Sequence, residues 1–219
     1  MSIALYYFSG SGNSLHAARE LRQRLPGADL MPMCAVPVRA RSRLAESRRG
    51  SSLIHGMTLP IPVGRFVARL DPGSARCMFA VVTRVATPHR AFAEIDRMPR
   101  KRGRRLDALF TLTMAGNDPK FRDRRPPAQD ELTRLEPELG ARLDAIREIV
   151  VGRQKSRGPD TDAPVPVALL ERLVLLGMAF AESDGAGDYY FANDRCTGCG
   201  TCERVCLSGN VRMAGKRPV

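Results

Sequence analysis

The sequence predicts an α/β protein: a doubly wound parallel sheet of five strands, followed by a small cysteine-bearing module. Three observations predict it. Short apolar runs rich in β-formers alternate with amphipathic helical patterns over residues 1–151. The first run ends in a glycine- and serine-rich turn that opens a helix. Four cysteines spaced C-x2-C-x2-C-x3-C stand near the carboxyl end, beyond a segment rich in glycine, proline and charge. The expected organisation is a first domain over 1–151, a linker and helix over 152–188, and a partial module over 189–219.

Residues 3–8, Ile-Ala-Leu-Tyr-Tyr-Phe, are too few for a helix and predict a buried strand. The turn Ser9-Gly10-Ser11-Gly12-Asn13-Ser14 follows. Leu15, Ala18, Leu21 and Leu25 then recur at helical spacing until Pro26-Gly27 stops the helix. Residues 29–33 read as a second strand and 39–50, polar and basic, as a loop or a frayed helix. A third strand is expected at 53–60, a short helix at 63–70, and a central strand at 76–83 carrying Met78-Phe79-Ala80-Val81-Val82. A helix over 88–100 places Phe92, Ile95 and Met98 on one side, and 106–114 is the fifth strand. A charged, proline-rich loop over 116–128 precedes a long amphipathic helix at 130–151. Its stripe is Leu132, Leu135, Leu139, Leu143, Ile146 and Val150. A further helix is expected over 166–181. Five strands fit the order 2-1-3-4-5 as well as half of a dinucleotide-binding sheet.

The turn after the first strand separates those sheets. A dinucleotide fold wants G-x-G-x-x-G and an acid at the end of strand two; here Leu15 takes the third glycine's place, and Met33 and Cys34 end the strand. A Walker A loop needs a lysine, which is absent. What is present is a set of neutral donors, Ser9, Ser11, Asn13 and Ser14, separated by Gly10 and Gly12. Glycines let backbone N–H groups turn inward, and a helix N-terminus adds partial positive charge, so this mixture suits a terminal phosphate. The plain alternative is a Gly/Ser turn in which Asn13 or Ser14 caps the helix.

Cys196, Cys199, Cys202 and Cys206 fall within eleven residues. That spacing is the ferredoxin run that holds a [4Fe–4S] cluster. Gly198 and Gly200 lie between the ligands, where backbone must pass close to a bulky centre. A zinc knuckle and a disulfide pair are the alternatives, although zinc usually takes two separated cysteine pairs. Leu207 stands where proline commonly follows the fourth cysteine, and 13 residues follow Cys206 without a second run. Either Cys206 serves a single cluster or the sequence is cut short of a second. Cys34 and Cys77 sit in or beside apolar runs and are expected to be buried thiols.

The formal net charge is +12, from 35 Lys and Arg against 23 Asp and Glu, mostly arginine. Basic runs at 39–43, 48–49, 100–105 and 122–125 suit an acidic redox partner. They carry few interleaved aromatics, so base stacking has little support and nucleic acid is not the expected partner. A genome that writes arginine for lysine is the bland account of the same charge. No basic leader precedes the first apolar run, and residues 164–180 are too short and too charged to span a bilayer. Thiols clustered as ligands suit a reducing compartment, so a soluble cytoplasmic protein with no membrane association is expected. His16, His55 and His89 form no ligand set, and no catalytic acid, base or nucleophile stands out.

Phe-Ser-Gly-Ser-Gly-Asn-Ser at 8–14 resembles the FMN-phosphate loop of flavodoxin–ferredoxin fusion proteins. Cys-Thr-Gly-Cys-Gly-Thr-Cys-Glu-Arg-Val-Cys at 196–206 resembles the first of that family's two cysteine runs. The resemblance implies a flavodoxin-like domain joined to a ferredoxin-type module, apparently truncated before the second run. It implies that Ser9, Gly10, Ser11, Gly12, Asn13 and Ser14 hold FMN phosphate. It also implies that Thr83, Arg84, Val85 and Ala86 edge the isoalloxazine ring and that Asn117 lies near the same pocket. Cys196, Cys199, Cys202 and Cys206 would hold the cluster. The ring end departs from the pattern: 60–64 is shortened and has no aromatic, 84–88 lacks the glycines usual there, and the chain has no Trp. The expected function is an electron-transfer iron–sulfur flavoprotein passing electrons between a 4Fe-4S cluster and FMN. The alternative is a non-catalytic flavodoxin-like protein that has lost FMN and keeps a structural or sensing cluster.

Overall fold

The computed structural model describes residues 3–36, 48–53, 59–71, 75–85, 94–97, 103–116, 127–157, 173, 176, 191–206, 209 and 211–219. The chain divides into two compact units, Met1–Ala163 and Pro164–Val219.

The first unit contains strands β1 (Ile3–Tyr7), β2 (Ala28–Pro32), β3 (Arg48–Leu53), β4 (Phe79–Arg84), β5 (Ala108–Thr113) and β6 (Ser156–Arg157). Its helices are α1 (Asn13–Arg24), α2 (Ile61–Arg69) and α3 (Gln129–Val151). Every strand pair is parallel, in the order β2-β1-β3-β4-β5-β6. The chain builds outward from β1 to β2, then returns to β1's other side with β3. The carboxyl ends of β1 and β3 therefore flank a topological switch point, where ligands of open α/β sheets bind.

Alternate side chains of β1, β4 and β5 feed two cores. Ile3 and Leu5, Phe79 and Val81, and Ala108, Phe110 and Leu112 pack against Ala17 and Leu21 of α1 and Leu139, Leu143, Ile146 and Val150 of α3. Ala4, Tyr6, Ala80, Val82 and Leu109 face the other way, onto Val63, Phe66 and Val67 of α2 and Ile95 of a helical turn at 94–97. The Tyr6 and Phe66 rings meet at 4.7 Å, tilted by 48°. Helix α1 is further tied to α3 by Arg24–Asp144 at 2.8 Å and His16–Glu136 at 3.1 Å, both exposed enough to add little stability.

Among the described residues the sheet has six strands, against the five expected. β6 lies in the segment read as linker and adds two residues beside β5. Arg157 of β6 reaches the buried Asp96 carboxylate at 3.1 Å, which also accepts the Leu106 N–H at 3.3 Å. The third strand is described at Arg48–Leu53, and residues 54–58 of the expected 53–60 lie outside the described residues. Its sequence, Arg-Arg-Gly-Ser-Ser-Leu, carries no apolar signal, yet it is held by β1 on one side and β4 on the other. The expected helix over 88–100 falls within the described residues only at 94–97, and that over 166–181 only at 173 and 176.

The second unit contains a short helix, α4 (Thr201–Val205), and an antiparallel pair, β7 (Met213–Ala214) and β8 (Arg217–Pro218). Glu203 of α4 accepts the Met213 N–H at 3.0 Å, fastening helix to hairpin. Among the described residues, no helix is long and apolar enough to cross a membrane.

Leu143 is 1 % exposed beneath the sheet, whereas Leu132 of the same helix is 39 % exposed. Leu143→Ala is expected to lower unfolding free energy by about 2–5 kcal/mol, and Leu132→Ala by under about 1 kcal/mol, measured by urea titration.

Candidate functional site

β1 leaves the sheet at Phe8, and α1 starts five residues later. Gly12 is the cap residue, with φ of 102°, a left-handed conformation that costs other residues roughly 1–2 kcal/mol. Ser9 Oγ accepts the Gly12 N–H at 3.1 Å and closes the turn. No side chain caps α1, and its first turn carries no acid, so its amide end keeps its partial positive charge. A Cβ placed on Gly10 or Gly12 would meet nothing within 4 Å. The loop is an open cradle of glycine and hydroxyls at the carboxyl edge of the sheet, with room for an anion. Its donors, helix-start amides and serine hydroxyls, are of the kind a phosphate takes.

Two of the expected phosphate residues are turned inward. Ser14 is 0 % exposed and its Oγ lies 2.8 Å from Thr83 Oγ1, itself 1 % exposed. Asn13 Nδ2 donates to the Ala115 carbonyl at 2.9 Å. The start of α1 is thereby pinned to the ends of β4 and β5, while Ser9, Gly10, Ser11 and Gly12 line the opening. Thr83, expected at a ring edge, has its side chain on the core face with Phe79 and Val81, as alternation along β4 requires. Arg84 is half-buried and Val85 is 53 % exposed. Ala86 and Asn117 lie outside the described residues. A groove of ≈ 360 Å³ between β5 and α3, unsuspected from sequence, is lined by Arg84, Thr113, Glu138 and Arg142 among others.

In the second unit, Gly198 and Gly200 are left-handed, with φ of 71° and 69°. A Cβ on Gly198 would come within 2.9 Å of the Lys216 carbonyl, so the cysteine loop needs glycine to lie against the hairpin. Cys202 sits on α4 with its Sγ 4.0 Å from Met213 Sδ, and Cys206 ends the helix half-buried. Four thiols are the right donors for iron. Yet among the described residues no three His, Cys, Asp or Glu side chains are close enough to share a metal ion. The four sulfurs are not gathered around one point. Cys199 has its thiol pKa lowered from 9.0 to about 7. Hydrogen bonds from the Thr201 hydroxyl, the Thr201 amide and the Thr197 hydroxyl lower it, as does the Arg204 charge. Cys77 is buried and Cys34 half-buried.

No family model and no curated protein matches the chain. Solved structures similar to it include a flavodoxin from the domain Archaea, 16 % identical over 69 % of this chain and 99 % of that one, with a TM-score of 0.44. A short-chain flavodoxin associated with a non-canonical PDU bacterial microcompartment is 12 % identical over 69 % and 96 %, with a TM-score of 0.46. The apo form of an NADH:FMN oxidoreductase is 12 % identical over 73 % and 92 %, with a TM-score of 0.41. The first unit has a flavodoxin-like fold. Its parallel sheet, with β1 between β2 and β3 and helices on both faces, defines it.

Gly12→Ala is expected to lose about 1–2 kcal/mol of stability, and Gly10→Ala, where φ is ordinary, about 0.5 kcal/mol or less; urea unfolding checks both. A lowered thiol pKa means thiolate at lower pH. Iodoacetamide labelling of Cys199 in the metal-free chain, read by mass spectrometry, is therefore expected to reach half its maximal rate near pH 7. Thr201→Ala is expected to move that midpoint up toward 9.0.

Proposed function

We propose that the chain is an electron-transfer iron–sulfur flavoprotein. FMN phosphate is held on the loop of Ser9, Gly10, Ser11, Gly12, Asn13 and Ser14, and a [4Fe–4S] cluster by Cys196, Cys199, Cys202 and Cys206. The observation that carries the reading is the uncapped helix start behind a left-handed Gly12, open to solvent beside the switch point of a parallel sheet. FMN, when bound, supplies a centre that accepts one or two electrons, and an iron–sulfur cluster supplies single-electron passage. The chain's own residues do the rest. The loop amides and the Ser9 and Ser11 hydroxyls offer neutral donors to a phosphate, so no cation is spent there. Asn13 holds the helix start to β5, which lowers the ordering cost of binding. The left-handed glycines let the cysteine loop lie against the hairpin. The net charge of +12 supports an acidic redox partner.

A second reading has one observation in its favour. The Thr83 hydroxyl is spent on Ser14 inside the core, which supports a flavodoxin-like protein that has lost FMN and keeps a structural or sensing metal cluster.

Purification without oxygen, followed by reconstitution with iron, sulfide and FMN, separates the two. Bound flavin gives bands near ~370 and ~450 nm, and a cluster alone gives a broad shoulder near ~400 nm. The expected result is both, with Gly10→Asp losing the flavin bands and keeping the shoulder, because a carboxylate in the cradle repels the phosphate. A preparation with the shoulder alone establishes the second reading. One zinc per chain with no sulfide ends both.

A further inference from the structure

The hydroxyls of Ser14 and Thr83 form a closed pair inside the protein. They come from residues 69 apart in sequence, one in the first turn of α1 and one near the end of β4. Both residues are essentially inaccessible, at 0 % and 1 %, and the oxygens are 2.8 Å apart, the usual length of such a bond. Solvent does not reach Ser14, and an anion in the cradle is larger than a water molecule. The remaining loop hydroxyls, on Ser9 and Ser11, lie on the accessible side, with Gly10 and Gly12 between them.

We propose that Ser14 and Thr83 are positioning residues of the anion cradle, setting the loop through each other, while the amides and the Ser9 and Ser11 hydroxyls touch the ligand. The inference rests on the reading of the loop as a phosphate site and deepens it by dividing the six residues into two roles. The division has a distinctive consequence. Removing one hydroxyl leaves the other buried with its partner gone, a penalty the protein relieves by shifting the loop. Removing both leaves an apolar contact of similar shape, which is nearly neutral. A pair that only positions is therefore expendable as a pair and not singly. A residue that touches the phosphate is missed in every background.

The test is a double-mutant cycle on the holo-competent full chain, with Ser14→Ala, Thr83→Val and the two combined. Thr83→Ser serves as the conservative control. Binding of FMN, riboflavin and inorganic phosphate is titrated for each, and thermal unfolding is followed separately. Each single substitution is expected to weaken FMN and inorganic phosphate about tenfold, as loss of one hydrogen-bonded group does. The combined variant is expected to return to within about threefold of the parent, and Thr83→Ser to match the parent. Riboflavin, which lacks the phosphate, is expected to respond to none of them.

A combined variant as weak as Ser14→Ala overturns the proposal, because Ser14 then contacts the ligand. Single variants that bind like the parent overturn it too. Riboflavin lost in step with FMN places Thr83 on the ring side and does the same. If a single variant does not fold, the combined variant and Thr83→Ser still decide between the two roles. A parent chain that binds inorganic phosphate but no flavin refutes the FMN reading and leaves the cycle to be read on phosphate. A parent that binds neither overturns both.

Discussion

Everything at the carboxyl edge of the sheet depends on how the first helix is seated. The buried Ser14–Thr83 contact at 2.8 Å fixes its first turn to β4, and Asn13 fixes it to the backbone just past β5. Farther along, Leu21 and Leu25 fill the core beneath. A helix seated at both ends cannot slide, so the amides at its start keep one direction. A loop of the same glycines and serines on an unanchored helix would have to be ordered by its ligand, and association would bear that entropy.

The electrostatics of the cradle are local, not global. The chain carries +12, but no arginine or lysine stands in the segment from Ser9 to Ser14. Attraction at the loop comes from dipoles: peptide N–H groups, two hydroxyls, and a helix terminus with no acid in its first turn. Such donors are geometrically selective and short in range. The surface arginines act over longer distances and are screened by salt. The two kinds of positive potential therefore differ in range and in geometric selectivity.

Sequence was a good guide where burial leaves a pattern. β1, β4 and β5 are apolar runs, and the amphipathic stripe of α3 ends in Leu139, Leu143, Ile146 and Val150, all buried. It failed where pairing alone makes a strand. β3 is Arg-Arg-Gly-Ser-Ser-Leu and is a strand because two neighbours present their edges to it. β6 is two residues long and owes its place to the Arg157–Asp96 bridge, which joins residues 61 apart. The cradle was legible as a composition, but its internal division of labour was not. Position in the loop suggested that all six residues face a ligand. Three-dimensional seating turns Ser14 inward, and strand alternation on β4 turns Thr83 to meet it. The signal for Thr83 was present, since it stands two residues after Val81 on the face that α1 covers.

The second unit poses the opposite physical problem. None of its described residues is buried; Phe191, Val205 and Val219 are exposed, and the two-residue strands of its hairpin form a very short ladder. Backbone and polar contacts hold it, such as Glu203 to Met213, Arg204 to the Cys199 carbonyl at 2.9 Å, and Gly198 against Lys216. Contacts of that kind contribute about 1 kcal/mol each at best, while ordering each residue costs about as much. Small modules without a core draw their stability from cross-links, and four thiols in eleven residues are the natural place to look for one here. The first unit is thus a scaffold that builds its site from packing. The second has the composition of a module that builds its packing from a site.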